Sequence, residues 1–517
     1  MKILSIISIL LYVTPLLIGG ESWCPKFFNS LRNPSFVILG LWLLACFKDN
    51  IRLQIKDLLF STEDLLSEKK CRGIVIVISS FFTLFYLKIV YFNFITFNVS
   101  GGDFSAYANL IPNTMLGNFM YAEGADANHF GVHFSPIIYA LWPFFEIFYT
   151  PLLPLFAHAL LITSTVIPLY LIMKKKMVAP LQIVAIVFCF FNYTYLAQVL
   201  KFNFHIEVFF IPLFMWMFYF FETKKRVLFF VSVILLNLIK EDAALYIVST
   251  CLGLFVLDKK FWKTLAFSSI STVVYFFINL KIIMPYFQKG VATKLLGNKY
   301  GQTLNEIVPN MLKSFHLVVL DYFKSGWLKT LLVFLFSPLS SLFFIVATFA
   351  FAIVHSSSGN EQMEKLSIYY SAPLISHVFF TLVLILKKNV SFSPKIKVSF
   401  FVLCFLMVNF VGGSYLKIPK YQGQDVGFSE VLKLVDFSRG DVCVQNSIFP
   451  QMGFSLNLKL ASEGCLEREN AFLVFNSRLN PYPFSKFEVV NFVKRYGKLS
   501  RFEVREFDTF SVIFLRD

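Results

Sequence analysis

Residues 98–136 read NVSGGDFSAYANLIPNTMLGNFMYAEGADANHFGVHFSP, a polar stretch set between long apolar ones. It carries Asp103, Asp126, His129 and His133 and contains no lysine or arginine. The apolar runs on either side, 73–97 and 151–173, are long enough to cross a bilayer. A loop rich in titratable groups at a membrane surface is where an integral membrane enzyme keeps its chemistry.

Composition agrees with a membrane location. The 517 residues are 57% hydrophobic and 18% aromatic with only 15% charged, and the mean hydropathy is +0.67. A soluble domain of this length has no use for so much apolar surface, whereas repeated transmembrane helices do. The formal charge of +16 comes from short Lys/Arg clusters lying between hydrophobic runs. That distribution follows the positive-inside rule and argues against a nucleic-acid partner. The 66 Phe read as lipid-facing and helix-packing bulk rather than as a base-stacking platform.

Charge and hydropathy together give an expected topology. Residues 1–20 read as a retained first helix rather than a signal peptide, because a second short run at 36–47 returns the chain to a basic cytoplasmic segment. The run at 73–97 then leads out to the polar loop. Spans at 151–173, 178–200 and 208–221 follow, with KKK at 174–176 and ETKKR at 222–226 inside. The 31 residues of 227–257 are too long for one ordinary span, so they read as two short helices with Lys240, Glu241 and Asp242 at the outer turn. Further spans fall at 262–283, 369–386 and 398–411, and 331–354, broken by SPLS, reads as one span or a re-entrant pair. The expected fold class is an all-α polytopic membrane protein of roughly eleven to thirteen transmembrane helices. Residues 1–72 form N-terminal helices and a cytoplasmic segment, and 73–411 form the transmembrane domain, with its large extracytoplasmic loop at 98–150.

From about residue 412 the pattern changes. DVCVQ, AFLVF, RFEVREF and FSVIFL read as short strands, with amphipathic helices at SEVLKLVDFS and FEVVNFVKRYG between them. Residues 412–517 are therefore expected to form a small extracytoplasmic α/β domain. Cys46, Cys189, Cys251 and Cys404 lie in apolar runs, where reduced cysteine is ordinary. Cys443 and Cys465 share the tail and are candidates for a disulfide. The absence of CxxC and HExxH argues against a dedicated zinc site.

Four constellations carry candidate chemistry, and each has a plainer structural reading. Asp103 in GGDFSAY suits a helix cap or a solvated loop, and equally a general base that takes the proton of an acceptor hydroxyl. His129 and His133 in NHFGVHFSP are four apart and share a face if the segment is helical, although Gly131 and Ser135–Pro136 argue against a regular helix. They serve as interfacial hydrogen-bonding groups, as phosphate binders, or as ligands of a divalent ion. His205 and Glu207 in KFNFHIE fall on one side in an extended chain, while Lys201 reads as a snorkelling anchor. Lys240, Glu241 and Asp242 are the strongest signal, because each charge costs about 2.5 to 3.5 kcal/mol at mid-bilayer and must pair or face a polar cavity. Tyr370 and His377 in the YYSAP region are a minor addition whose plainer reading is an aromatic belt.

The ordered set DFSAY, HFGVHFSP, FNFHIE and KEDAAL resembles the bacterial membrane-protein family known as domain of unknown function 2079, over most of the chain from about residue 73. That family looks like a relative of the GT-C type glycosyltransferases, which use polyprenyl-phosphate sugars. In those enzymes an acidic residue of the first large extracytoplasmic loop is the catalytic base. Asp103 is the matching position, as a single acid rather than the paired acids of many such enzymes. The resemblance implies a multi-pass protein of the bacterial inner membrane, N-terminus cytoplasmic and tail extracytoplasmic. It implies transfer of a sugar from a polyprenyl-phosphate donor to an extracytoplasmic acceptor. His129, His133, His205, Glu207, Lys240, Glu241, Asp242 and Tyr370 would bind the donor phosphate or the acceptor. No cofactor is required, although Asp103, His133 and Glu241 could hold Mg or Mn. The alternatives are a transporter, which would place its polar groups at mid-bilayer, or a non-catalytic envelope-assembly protein.

Overall fold

A computed structural model describes residues 67–99, 101–123, 127–288, 299–301, 304–324, 331, 334, 337–386, 418–421, 423, 425–462, 464–465, 471–481 and 484–515. The expected spans at 1–20, 36–47 and 398–411, as well as Cys46, Cys404 and Asp126, lie outside the described residues.

Helix α1, Glu68–Ile95, opens on Ser67, whose hydroxyl accepts from the Lys70 amide. It leads to helix α2, Gly101–Ala108, which carries the DFSAY motif. A two-stranded hairpin of β1, Tyr121–Ala122, and β2, Ala127–Asn128, precedes the single helical turn α3, His129–Val132. The membrane-type helices follow: α4, Leu152–Lys175; α5, Pro180–Asn192; α6, Thr194–Lys201; α7, Phe210–Glu222; α8, Arg226–Asn237; α9, Ala243–Leu257; α10, Lys259–Gln288; α11, Leu342–Ser356; and α12, Ala372–Leu386. Among the described residues α1, α4 and α10 are long and apolar enough to cross a membrane. The α5–α6 pair makes a fourth if its 42° bend lies within one span.

Three apolar runs are interrupted, and only the first interruption departs from the sequence reading. The run at 178–200 is two helices, because Tyr193 adopts an extended conformation (φ −66°, ψ 123°) and interrupts the ladder. The run at 227–257 divides into α8 and α9 around a turn holding Lys240–Asp242, the arrangement that three consecutive charges favour. The SPLS sequence forms a 3-10 turn, Ser337–Ser340, directly before α11.

Helices α9 and α11 pack in close contact at Gly253. A Cβ built there would lie 2.6 Å from the Ala347 Cβ and 2.9 Å from the Phe343 carbonyl oxygen. Small residues allow such backbone approach in membranes, where no hydrophobic drive pulls helices together. Gly253→Ala is therefore expected to destabilise the protein by about 2 kcal/mol through overpacking. Combining it with Ala347→Gly should recover most of the loss in thermal unfolding of the purified protein in detergent. An unchanged melting temperature in the single variant would refute the contact.

The tail forms a five-stranded sheet in the order β4, β3, β5, β7, β6: β3 is Val442–Val444, β4 Leu458–Leu460, β5 Phe472–Asn476, β6 Phe502–Phe507 and β7 Phe510–Leu515. Strand β3 runs parallel to β4 and β5, while β7 runs antiparallel to β5 and β6. The all-apolar β3 and central β5 are buried along their whole length, as strands covered on both faces require. Helix α13, Phe428–Leu434, packs on one side of the sheet through Val431. Helix α14, Lys486–Gly497, covers the other side through Val489 and starts on a capping box between Ser485 and Glu488. Cys443 on β3 is bonded to Cys465, 22 residues on, with the Cα atoms 6.4 Å apart. In the chain-entropy account a loop of that length is stabilised by about 3 kcal/mol. The sequence patterns outline four of the five strands, and β4 is the one they do not show.

Candidate functional site

The charged turn between α8 and α9 lies at the centre of a polar cluster drawn from five separated segments. Asn203, at φ 73°, reverses the chain after α6, a left-handed conformation that asparagine tolerates. His205 is then extended (φ −142°, ψ 149°) and Glu207 enters a short 3-10 turn, so both face one way. The His205 Nδ1 contacts one carboxylate oxygen of Glu207, and the Lys240 ammonium donates to the other at 3.0 Å. The Glu207 and Lys240 side chains are 6% and 11% exposed, so this is a shielded triad rather than a surface ion pair.

Glu241 turns to the polar loop. Its Oε1 is 2.8 Å from the His133 Nδ1, and its Oε2 accepts from the Phe134 amide at 3.2 Å. Burial pushes the Glu241 carboxyl up, but the contacts with His133 and Lys240 outweigh it and hold the group at about 2. His133 is placed by α3. The Asn128 side chain accepts from the Phe130 amide and starts the turn, and the His133 amide closes it on the His129 carbonyl at 2.7 Å. Despite Gly131, the segment makes one helical turn and keeps the two imidazoles on one side, with ring centroids 6.1 Å apart. A Cβ at Gly131 would lie 3.1 Å from the backbone of Phe287 and Gln288, at the end of α10. Glycine lets α10 seat against the histidine turn, and the Gln288 side-chain Nε2 donates to the Gly131 carbonyl. His129 is 3% exposed, and burial lowers its pKa to about 3, so its imidazole is neutral.

Asp242 accepts from the Tyr246 hydroxyl at 3.4 Å through Oδ2, and its buried Oδ1 has no hydrogen-bond partner among the described residues. Burial pushes its pKa up to about 6; Lys240 opposes the shift, and Glu241 and Glu207 add to it. The folded state therefore favours the protonated form of Asp242. The stability this contributes is complete below about pH 4 and is lost as pH rises through about 6. Asp242→Asn is expected to melt a few degrees above the unsubstituted protein at pH 8, with the gap closing towards pH 4. Parallel melting curves at both pH values would overturn this.

Two aromatic residues not singled out by the sequence complete the cluster. Tyr107 sits edge-on to His129 and His205, with ring centroids at 4.9 and 4.5 Å. Tyr369 stacks on His205 at 3.5 Å with the rings 8° from parallel. Tyr370 lies one step behind, accepting from the Tyr369 hydroxyl at 3.1 Å. Tyr107 follows Asp103 by one helical turn on α2, a spacing that would have marked it. Asp103 is in the first turn of α2, and its side chain lies outside the described residues. Lys201 ends α6 as an exposed residue, and His377 lies deep in the helical core against Thr250 and Phe214. Neither joins the cluster.

His133 and Glu241, two of the three expected metal ligands, are paired with each other. Among the described residues no three His, Cys, Asp or Glu side chains are grouped so as to hold a metal ion. Two residues beyond Asp242 begins a cleft of about 500 Å3 between α9, α10 and α11. Ala244, Leu252, Phe277 and Phe349 are among its walls, and Ser249 is the one polar residue lining it.

No curated protein matches the sequence. Among solved structures, the chain is similar to the crystal structure of ArnT from Cupriavidus metallidurans bound to undecaprenyl phosphate. The TM-score is 0.48 and the identity 10%, over 85% of this chain and 97% of that one. The apo-state structure of the same protein gives a TM-score of 0.47 and 10% identity, over 82% and 95%. The model of the family described as predicted membrane protein (DUF2079) matches residues 93–445, well over half of the chain. The chain belongs to that family of membrane proteins.

Proposed function

We propose that the protein is a membrane glycosyltransferase that moves a sugar from a polyprenyl-phosphate donor to an acceptor hydroxyl on the extracytoplasmic side. The observation that carries this reading is the meeting of His129, His133, His205, Glu207, Lys240, Glu241 and Asp242 in one shielded polar cluster. Helix α2, which carries Asp103, reaches the cluster through Tyr107, and an apolar cleft has its first wall residue, Ala244, two positions along the chain from Asp242. The Lys240 ammonium and the nearby imidazoles supply donors for a lipid phosphate, and an apolar cleft between helices suits its chain.

In this reading Asp103 takes the proton from the acceptor hydroxyl as its oxygen attacks the anomeric carbon. The bond from that carbon to the phosphate oxygen breaks, configuration inverts, and the electron pair leaves with the polyprenyl phosphate. Lys240, shared between Glu207 and the incoming phosphate, and the loop imidazoles provide hydrogen bonds to the departing oxygen anion. The tail domain lies on the acceptor side. No step is assigned to a divalent cation.

The test compares membranes containing the unsubstituted protein, Asp103→Asn and Glu241→Gln for transfer from a radiolabelled polyprenyl-phosphate sugar. Loss of incorporation in both variants at equal protein level is the expected result. Equal incorporation in all three would remove the enzyme reading and leave the transporter and assembly readings.

A further inference from the structure

The tail domain grips the end of α1 and the polar loop at five separated points, and one of them is the start of the helix that bears Asp103. The Gln451 side-chain amide donates to the Phe94 carbonyl at the end of α1. Phe97 follows in a left-handed backbone conformation (φ 56°) that a bulky residue rarely adopts. That conformation carries its ring into the tail's own core, 5.3 Å from Phe428 and 5.9 Å from Phe510. Further along, the Lys459 ammonium lies 3.0 Å from the Glu123 carboxylate, with both side chains under 20% exposed. Phe454 packs on Phe145 and Tyr149 at 5.8 and 5.1 Å.

Between the first and third of these grips, the Gly102 amide donates to the Asn446 Oδ1 at 2.6 Å. This amide is in the first turn of α2, where helical N–H groups have no intrahelical acceptor. The acceptor comes from a residue 344 positions away in the chain. Asn446 is 6% exposed and lies two residues beyond the end of β3, a stretch that is firmly held. Gln445 donates from its amide to the Val474 carbonyl at 3.1 Å and from its side chain to the Asn480 carbonyl at 2.6 Å. Its Oε1 accepts from the Asn476 amide at 2.9 Å. Two residues before Gln445, Cys443 ties the same strand to Cys465. The loop beyond the carboxyl end of a parallel strand is a usual place for functional side chains in α/β sheets.

The geometry points to Asn446 as a positioning residue that holds the first turn of α2, and with it the backbone of Asp103, against the charged turn. The tail domain is then the frame that sets the distance between the base and the lipid-phosphate site. The catalytic part of this assignment rests on the transferase reading above, whereas the clamp itself does not.

Hydrogen exchange separates the two. Full-length protein in nanodiscs is compared with Asn446→Leu, which keeps the size but loses the acceptor, and with Asn446→Asp, which keeps both. Asn446→Leu should exchange a peptide covering 98–110 about tenfold faster, as expected for loss of one well-placed hydrogen bond, and Asn446→Asp should retain protection. Peptides over β5 and β7 should be unchanged in both variants. Unaltered exchange at 98–110 in Asn446→Leu overturns the proposal, and so does faster exchange that spreads through the sheet. In the transfer assay Asn446→Leu should lower kcat on the order of tenfold with KM for the lipid donor unchanged, and Asn446→Asp should restore it. If Asp103→Asn transfers at the unsubstituted rate, Asp103 is not the base and the catalytic part of the assignment fails, while the exchange result still decides the clamp.

Discussion

Asp103→Asn is expected to abolish sugar transfer, lowering the rate by about 10² to 10⁴-fold, the usual contribution of a positioned general base. Asparagine has the same shape and still forms hydrogen bonds, but it cannot take a proton from an acceptor hydroxyl. Binding of the lipid donor should survive, because the cluster around Lys240 is untouched by the change. The measurement is initial rate against donor concentration in proteoliposomes, with donor binding followed separately by equilibrium dialysis. A drop in kcat with donor affinity retained supports Asp103 as the base. A rate within a factor of two of the original would assign the proton to another group and end the Asp103 assignment.

The second large effect concerns the shielded triad. Glu207 neutralises Lys240 and contacts His205 at once, with both members of the ion pair nearly out of contact with water. Removing one partner of a buried pair leaves an uncompensated charge, at a cost of about 3 to 5 kcal/mol. Glu207→Gln is thus expected to lower the melting temperature sharply. The double variant Glu207→Gln/Lys240→Met, which removes both charges, should recover most of that stability, since neutral replacement of a buried pair is often neutral or favourable. Transfer should remain lost in the double variant, because the cation facing the phosphate is gone. Recovery of transfer together with stability would show that the triad only supports the fold.

Much of this site can be read along the chain. Three adjacent charges inside 227–257 demanded a turn and partners, and the turn at Lys240–Asp242 is where α8 gives way to α9. The spacing of His205 and Glu207 suggested a shared side, which the extended conformation at His205 provides. The tail's alternating runs outlined four of the strands and both helices. Tyr369 was missed in favour of its neighbour Tyr370, because an aromatic at a membrane interface has many uses and only the stacking on His205 distinguishes one of the two. The three-residue β4 was too short for any pattern to mark, and the bend at Tyr193 depends on backbone angles that hydropathy does not report.

By itself the sequence determined that the chain is a membrane protein, where its charges must be sheltered, and that its tail folds differently from the rest. Those properties follow from transfer free energies and periodicities, which act residue by residue over short windows. Tertiary structure decided that Glu207 belongs to Lys240 and Glu241 to His133, and that Asn446 reaches back across 344 positions to Gly102. Hydrogen bonds and ion pairs need partners within about 3 Å, and only the packing of distant helices and strands sets which groups come that close.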